Sequence, residues 1–307
     1  MNHTKKFAGI HSLNWVLVLL VPALFLTGCG KKDEAAPAEG AAPAAASASP
    51  AAEAAPAKAE PAEMLAKATQ SRMLDVVHTG DAYVAVGERG HIVHSTDGKT
   101  WTQSPSPVRS TLTTVFFADA KNGWAGGHDA SIVATRDGGK TWTLQLWAPE
   151  LNVPVLDLYF FDAQRGIAVG AYGFYRTTAD GGTTWTEAEN AATTDEWHFN
   201  GITRLADSSL LLVGETGGVA HSKDEGVTWT KLESPYEGTF FGALPHGLTG
   251  AILYGLRGSV YVIENVATAT PASWRKLETG TFQSVLGGTA ASDGGLVMVG
   301  AAGTVLK

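Results

Sequence analysis

The chain has 307 residues, 44% of them hydrophobic and 9% aromatic, with 36 glycines. That is enough apolar material for a substantial core, and the glycine load suits many short strands joined by turns. A formal net charge of −8 argues against nucleic acid as a partner, because such binding depends on neutralising phosphates, and a single cysteine excludes an intramolecular disulfide.

In chain order, Lys5 and Lys6 precede an apolar run, "WVLVLLVPALFL", from Trp15 to Leu26. It is short for a membrane span and fits a signal peptide. The run ends in "LTGC", Leu26 to Cys29, which resembles a bacterial lipobox. The resemblance implies cleavage after residue 28 and a lipid on Cys29. Cleavage would remove two lysines and no acid, making the mature chain more acidic still. Gly30 after the cysteine, rather than Asp, resembles the outer-membrane sorting pattern. The expectation is therefore an exported protein, lipid-anchored at the outer membrane and facing the periplasm. Residues 29–63 are nearly all Ala, Pro and Glu after the first few positions, and Glu34 to Pro61 holds no aromatic or β-branched residue. A disordered tether is expected there, ahead of a globular part at 64–307.

The globular part repeats itself. "VGERGHIVHSTDGKTW" (86–101) lies over "GGHDASIVATRDGGKTW" (126–142), "VGAYGFYRTTADGGTTW" (169–185) and "VGETGGVAHSKDEGVTW" (213–229). A weaker copy runs from 254 to 274, and a last begins at 299. The aligned glycines Gly87, Gly127, Gly170, Gly214, Gly255 and Gly300 recur every 40 to 45 residues. Each unit opens with an apolar stretch and reads as four short strands separated by Gly, Asp and Asn turns. No segment of ten or more residues here shows a helical stripe. The prediction is an all-β propeller of six four-stranded repeats, with a seven-bladed or incomplete ring as the alternative. A right-handed β-helix fits less well, since its rungs are shorter. The last unit reaches Lys307 where its fourth strand should begin. The ring is expected either to borrow that strand from the segment before Met73 or to be incomplete.

Asp137, Gly139, Thr141 and Trp142 form S/T-x-D-x-G-x-T-W, which resembles an Asp box of the BNR type. Asp180, Gly182, Thr184 and Trp185 repeat it, as do Asp224, Gly226, Thr228 and Trp229. Asp97 to Trp101 is one residue shorter. An acid repeated fourfold is a poor catalyst, because a catalytic constellation needs different groups converging once. The carboxylate is expected to accept backbone N–H groups of its own turn, the glycine to take a positive φ, and the Trp to pack beside the neighbouring blade.

With "TTVFFADAKNGWAGG" upstream of its box, the stretch from about Met73 to Lys307 resembles the photosystem II stability/assembly factor family of propellers. The resemblance implies a scaffold that helps assemble a membrane protein complex, with its Asp boxes away from the binding face. Chemistry is then expected where the units differ: in loops joining strands two and three, and loops joining units. The first set supplies Glu88, Arg89, His128, Asp129, Tyr172, Glu215 and Arg257. The second supplies Arg109, Glu150, Glu196, Trp197, His198 and Tyr236. These loops mix acids, histidines and aromatics, whereas the family's face is arginine-rich, so the partner is expected to be a cell-envelope protein rather than a photosynthetic one. No cofactor or metal is expected: His91 and His94 in "HIVH" stand three apart on a strand and point to opposite faces. The alternative is a sialidase-like or other glycoside hydrolase. It would use Arg89, Arg109 and Arg257 with Tyr172 or Tyr236, or a carboxylate pair such as Glu150 and Glu196.

Overall fold

The computed structural model describes residues 58–190, 192, 197–291 and 293–307. The expected signal peptide, Cys29, the tether up to residue 57, and Glu196 lie outside them. From Met73 the repeats fold as six antiparallel sheets with strands in chain order, four in each of the first five and three in the sixth. The first strands, Met73–His78, Leu112–Phe117, Val155–Phe160, Phe199–Arg204, Phe240–His246 and Val285–Ala290, are the innermost. From blade 1 to blade 6, each packs beside the next. This is the expected six-bladed β-propeller. Among the described residues, helices are single 3-10 turns, and none is long and apolar enough to cross a membrane.

The repeating glycines have one cause. Gly87, Gly127, Gly170, Gly214, Gly255 and Gly300 end the second strands, where a bulge shifts the register against the first strand. A β-carbon at any of them would stand 2.1–2.2 Å from the carbonyl oxygen of Arg72, Thr111, Pro154, His198, Thr239 or Ser284, respectively. Only glycine lets the two backbones approach this closely.

The core is divided among the junctions between blades. Val84, Val86 and Ile92 of blade 1 meet Leu112, Val115 and Trp142 of blade 2. Trp124 and Ile132 meet Leu158 and Phe160 at the next junction, and Ile167, Val169 and Tyr175 meet Ile202 and Trp229 at the third. Two further clusters join blades 4 and 5, and 5 and 6. Polar bonds between inner strands reinforce them. The Asp75 carboxylate accepts the Val115 N–H (2.8 Å), Thr113 donates to the Val155 carbonyl, Asp157 accepts the Ile202 N–H (2.9 Å), and Asn200 donates to the Phe240 carbonyl (2.9 Å).

The segment before Met73 does not complete blade 6, contrary to one expectation. Ala62 N–H donates to the Ser106 carbonyl (3.0 Å), and Leu65 N–H to the Gln103 side chain (2.8 Å), so it lies along the outer strand of blade 1. Its alanine, lysine and glutamate residues are poor strand formers, and Arg109 pairs with Glu60 and Glu63 at 3.3 and 3.2 Å.

Candidate functional site

The acid of the Asp box is spent inside its own turn. Asp137 Oδ1 accepts the N–H groups of Lys140 (3.0 Å) and Thr141 (2.9 Å) and the Thr135 hydroxyl (2.8 Å), while Oδ2 accepts the Thr141 hydroxyl (2.6 Å). Asp180 with Thr184 and Asp224 with Thr228 repeat the arrangement. Partial burial pushes the Asp137 carboxyl up, but the Thr141 hydroxyl and N–H outweigh it and hold it below the usual carboxylate range. In the shorter first box, the N–H groups of Thr100 and Lys99 hold Asp97 down to about 2. Gly139, Gly182 and Gly226 take φ of +88°, +93° and +85°. The Trp142 indole donates to the Gly139 carbonyl (3.0 Å), and that of Trp229 to the Gly226 carbonyl and the Tyr175 hydroxyl (3.1 Å each). Trp185 differs: its indole nitrogen is buried without a partner. Replacing Asp137 by Ala orphans several donors, so Asp137→Ala is expected to lower stability by about 1–3 kcal/mol in chemical denaturation, without changing what the folded protein binds.

Boxes and variable loops lie at opposite ends of the blades. The box turns bond to the loops between strands one and two, through Gly138 N–H to the Lys121 carbonyl and Gly181 N–H to that of Gln164. The loops between strands two and three bond instead to the loops between blades. Ala130 N–H donates to Val153, Gly173 to Trp197 and Gly217 to Gly238. Both expected loop sets therefore share one face.

That face is built on one turn used six times. Arg89, Asp129, Tyr172, Thr216, Arg257 and Ala302 all take φ between +52° and +61°, and each is followed by a second residue at positive φ. Two consecutive left-handed residues make the tight mirror-image turn favoured in hairpins. A non-glycine residue pays on the order of 1 kcal/mol for that conformation. The backbone is constant, and the side chain displayed changes from blade to blade.

The side chains gather in separate patches. On blades 1 and 2, Arg89, His91 and Arg109 line a cavity of about 210 Å³ with Glu63, while Asp129 accepts the Ser110 hydroxyl (2.5 Å). On blades 3 and 4, the Tyr172 ring meets His198 edge-on at 4.5 Å, and Glu215 accepts the His198 N–H (3.0 Å). Beside them, Lys231 Nζ stands 4.8 Å over the Trp197 ring. Tyr172 is 63% exposed, the most open aromatic of this patch. Other expected residues serve the frame. Tyr236 packs on Phe240 and Tyr261 and donates to the Leu256 carbonyl (3.2 Å), and Glu88 accepts the Arg72 N–H (3.2 Å). Glu150 stands exposed in a 3-10 turn, and His128 caps the start of its blade's turn through its N–H to Thr111.

Of the hydrolase arrangement, the three arginines do not come together, and the alternative pair of Glu150 with Glu196 includes a residue outside the described ones. Arg89 and Arg109 share a cavity, but Arg257 lies on blade 5 outside it, and Arg109 already holds two glutamates. His91 and His94 each bond a separate serine, Ser71 and Ser104 (2.9 Å each). Among the described residues, no three His, Cys, Asp or Glu side chains come together as metal ligands.

One pair of acids was not anticipated. Asp75 and Asp157 line the central cavity, and burial pushes them up to about 6 and about 7, respectively, despite the N–H groups each accepts. Their signal is in the sequence: "LDVV", "TTVF" and "LDLY" place Asp75, Thr114 and Asp157 at one repeat position.

Repeated Asp-box turns at one end and variable left-handed turns at the other define an Asp-box β-propeller. The chain belongs to the photosynthesis system II assembly factor YCF48 family, whose model matches residues 145–306. Among solved structures it is similar to YCF48 from Cyanidioschyzon merolae, with a TM-score of 0.60 and 15% identity over 76% of this chain and 81% of that one. A structure of YCF48 bound to D1 peptide matches at TM-score 0.58 and 15% identity, covering 76% of each chain. An ancestral GH74 enzyme matches at TM-score 0.57 and 13% identity, over 76% of this chain but 35% of that one. At these identities the structural likenesses establish the fold alone. No curated protein matches the sequence.

Proposed function

We propose that this protein is a non-catalytic scaffold that docks a protein partner on its variable-loop face, in support of the assembly or stability of a cell-envelope or membrane complex. The observation that carries this is the division of the ring: the acids that repeat are consumed by their own turns, while the six equivalent loop turns display unlike side chains on one face. Membership of an assembly-factor family supports the same role, and one structurally similar YCF48 is bound to a peptide. Tyr172, His198 and Trp197 offer the best anchor, because aromatic side chains with a neighbouring charge dominate binding energy at protein interfaces. Cys29 would carry the lipid that holds the scaffold at the membrane, with the Ala/Pro/Glu stretch as its tether.

Cross-linked pull-down from membranes tests the scaffold. The native protein is expected to recover a reproducible partner, and Tyr172→Ala with His198→Ala to reduce recovery about tenfold or more, equivalent to 1.4 kcal/mol. Cleavage of a fluorogenic glycoside, abolished by Glu150→Gln, would instead establish a hydrolase. Cys29→Ser is expected to move the protein from the membrane to the soluble fraction.

A further inference from the structure

The variable-loop face carries its charges unevenly. Five consecutive loop segments run from the junction of blades 2 and 3 to that of blades 4 and 5: residues 148–154, 171–174, 188–198, 215–218 and 232–239. Together they hold seven acids and no lysine or arginine. Backbone bonds join them into one stripe. Ala171 N–H donates to the Pro154 carbonyl (3.2 Å), Gly173 to Trp197 (2.8 Å), Glu215 to His198 (3.2 Å) and Gly217 to Gly238 (2.6 Å). Glu150 and Glu237 stand exposed on it, and neither carboxylate has an ion-pair or hydrogen-bond partner among the described residues. The two cations beside the stripe are engaged: Arg176 pairs with Glu187 (3.2 Å), and Lys231 lies over the Trp197 ring.

Between the two free acids, in blade order, an apolar hollow opens. Leu151 and Tyr172, 41% and 63% exposed, line a cavity of about 170 Å³ with Val153 and Phe174. Tyr172 is the one aromatic among the six equivalent turn residues, held at φ +54°. The His198 ring meets it edge-on, and Glu215 fixes His198 through its N–H. The cavity is smaller than the roughly 300 Å³ at which pockets for drug-sized ligands begin, so it takes a single side chain. An occupant that also reaches Glu150 and Glu237 must be long enough to cross from the loop between blades 2 and 3 to that between blades 4 and 5.

We propose that this stripe recognises a basic, extended segment of the partner protein: one large apolar side chain enters the hollow beside Tyr172, and flanking lysines or arginines pair with Glu150 and Glu237. The inference rests on the scaffold role and adds the chemistry of its partner. Charge complementarity carries it, because a surface with many acids and no free cation attracts a basic partner and rejects an acidic one. The exposed Tyr172 and Leu151 supply the apolar anchor, and the acids form the polar rim around it.

The test uses the full chain and three fluorescein-labelled peptides in an anisotropy titration: acetyl-Gly-Lys-Ser-Lys-Leu-Lys-Ser-Lys-Gly-amide, the same peptide with Glu for every Lys, and the same with Ser for Leu. The lysine peptide is expected to bind saturably, at least tenfold more tightly than the glutamate peptide and at least threefold more tightly than the serine peptide. Glu150→Lys with Glu237→Lys, at exposed positions without partners, is expected to bring the lysine and glutamate peptides within threefold of each other at an unchanged melting temperature. Tyr172→Ala is expected to lower the leucine-containing lysine peptide to the level of the serine peptide. Absent binding, equal affinity for lysine and glutamate peptides, or a preference that survives the charge reversal would overturn the proposal. Equal affinity for the leucine and serine peptides would overturn it in favour of bare charge attraction. A partner adduct from a photoreactive residue at Tyr172 in membranes, alongside any of these results, would leave the scaffold standing and sink only this inference. No adduct would sink both.

Discussion

Trp124→Ala is expected to lower the stability of the ring by about 3–5 kcal/mol, the range for deleting a fully buried tryptophan. The Trp124 indole is 0% exposed and lies flat on Phe160, with centroids 3.5 Å apart and planes at 8°. Phe160 in turn meets Trp185 edge-on at 5.9 Å. The Trp124 N–H donates to the Gly181 carbonyl (2.9 Å), in the box turn of the next blade, and the same oxygen accepts from Arg136 (2.6 Å). The Arg136 guanidinium also sits 4.7 Å over the Trp124 ring. The substitution therefore removes a stacked core residue, an interblade hydrogen bond and the platform beneath a cation. Denaturant unfolding measures it, and a loss below about 1 kcal/mol would show that blades 2 and 3 are held by other contacts.

Asp157→Asn is expected to change how stability depends on pH. Burial, helped by the charge of Asp75, raises the Asp157 pKa from 3.8 to about 7 against the N–H groups of Ile202 and Leu158. An acid whose pKa is higher in the fold keeps a proton that the unfolded chain releases, so stability falls as pH rises between those two values. Between pH 4.5 and 7.5 the native protein is expected to lose on the order of 2 kcal/mol relative to the Asn variant. His91 and His221, both lowered mainly by burial, pull the other way in this window but are present in both proteins and drop out of the difference. Parallel stability curves would mean that Asp157 titrates as an ordinary carboxyl.

The fold was legible because its signals are local and repeated. Gly87 and its five counterparts each mark the same backbone approach, and Asp137, Asp180 and Asp224 each close the same turn. Such features reside within one repeat, so alignment alone exposes them. The loop face was legible as a location, since Arg89, Asp129, Tyr172 and Arg257 do occupy one turn position. Which side chains stay available was not legible. Tyr236 turns inward onto Phe240 and Tyr261, and Arg109 meets Glu60 and Glu63, because these pairings depend on how distant segments come together.

Site-specific photo-crosslinking in membranes addresses the division of labour between the two faces most directly. A photoreactive residue at Tyr172, on the variable-loop face, is set against one at Lys140, exposed on the box turn. Expected is a discrete partner adduct from position 172 and none from position 140. An adduct from position 140 alone would contradict the scaffold's orientation and return the Asp boxes to the centre of its function.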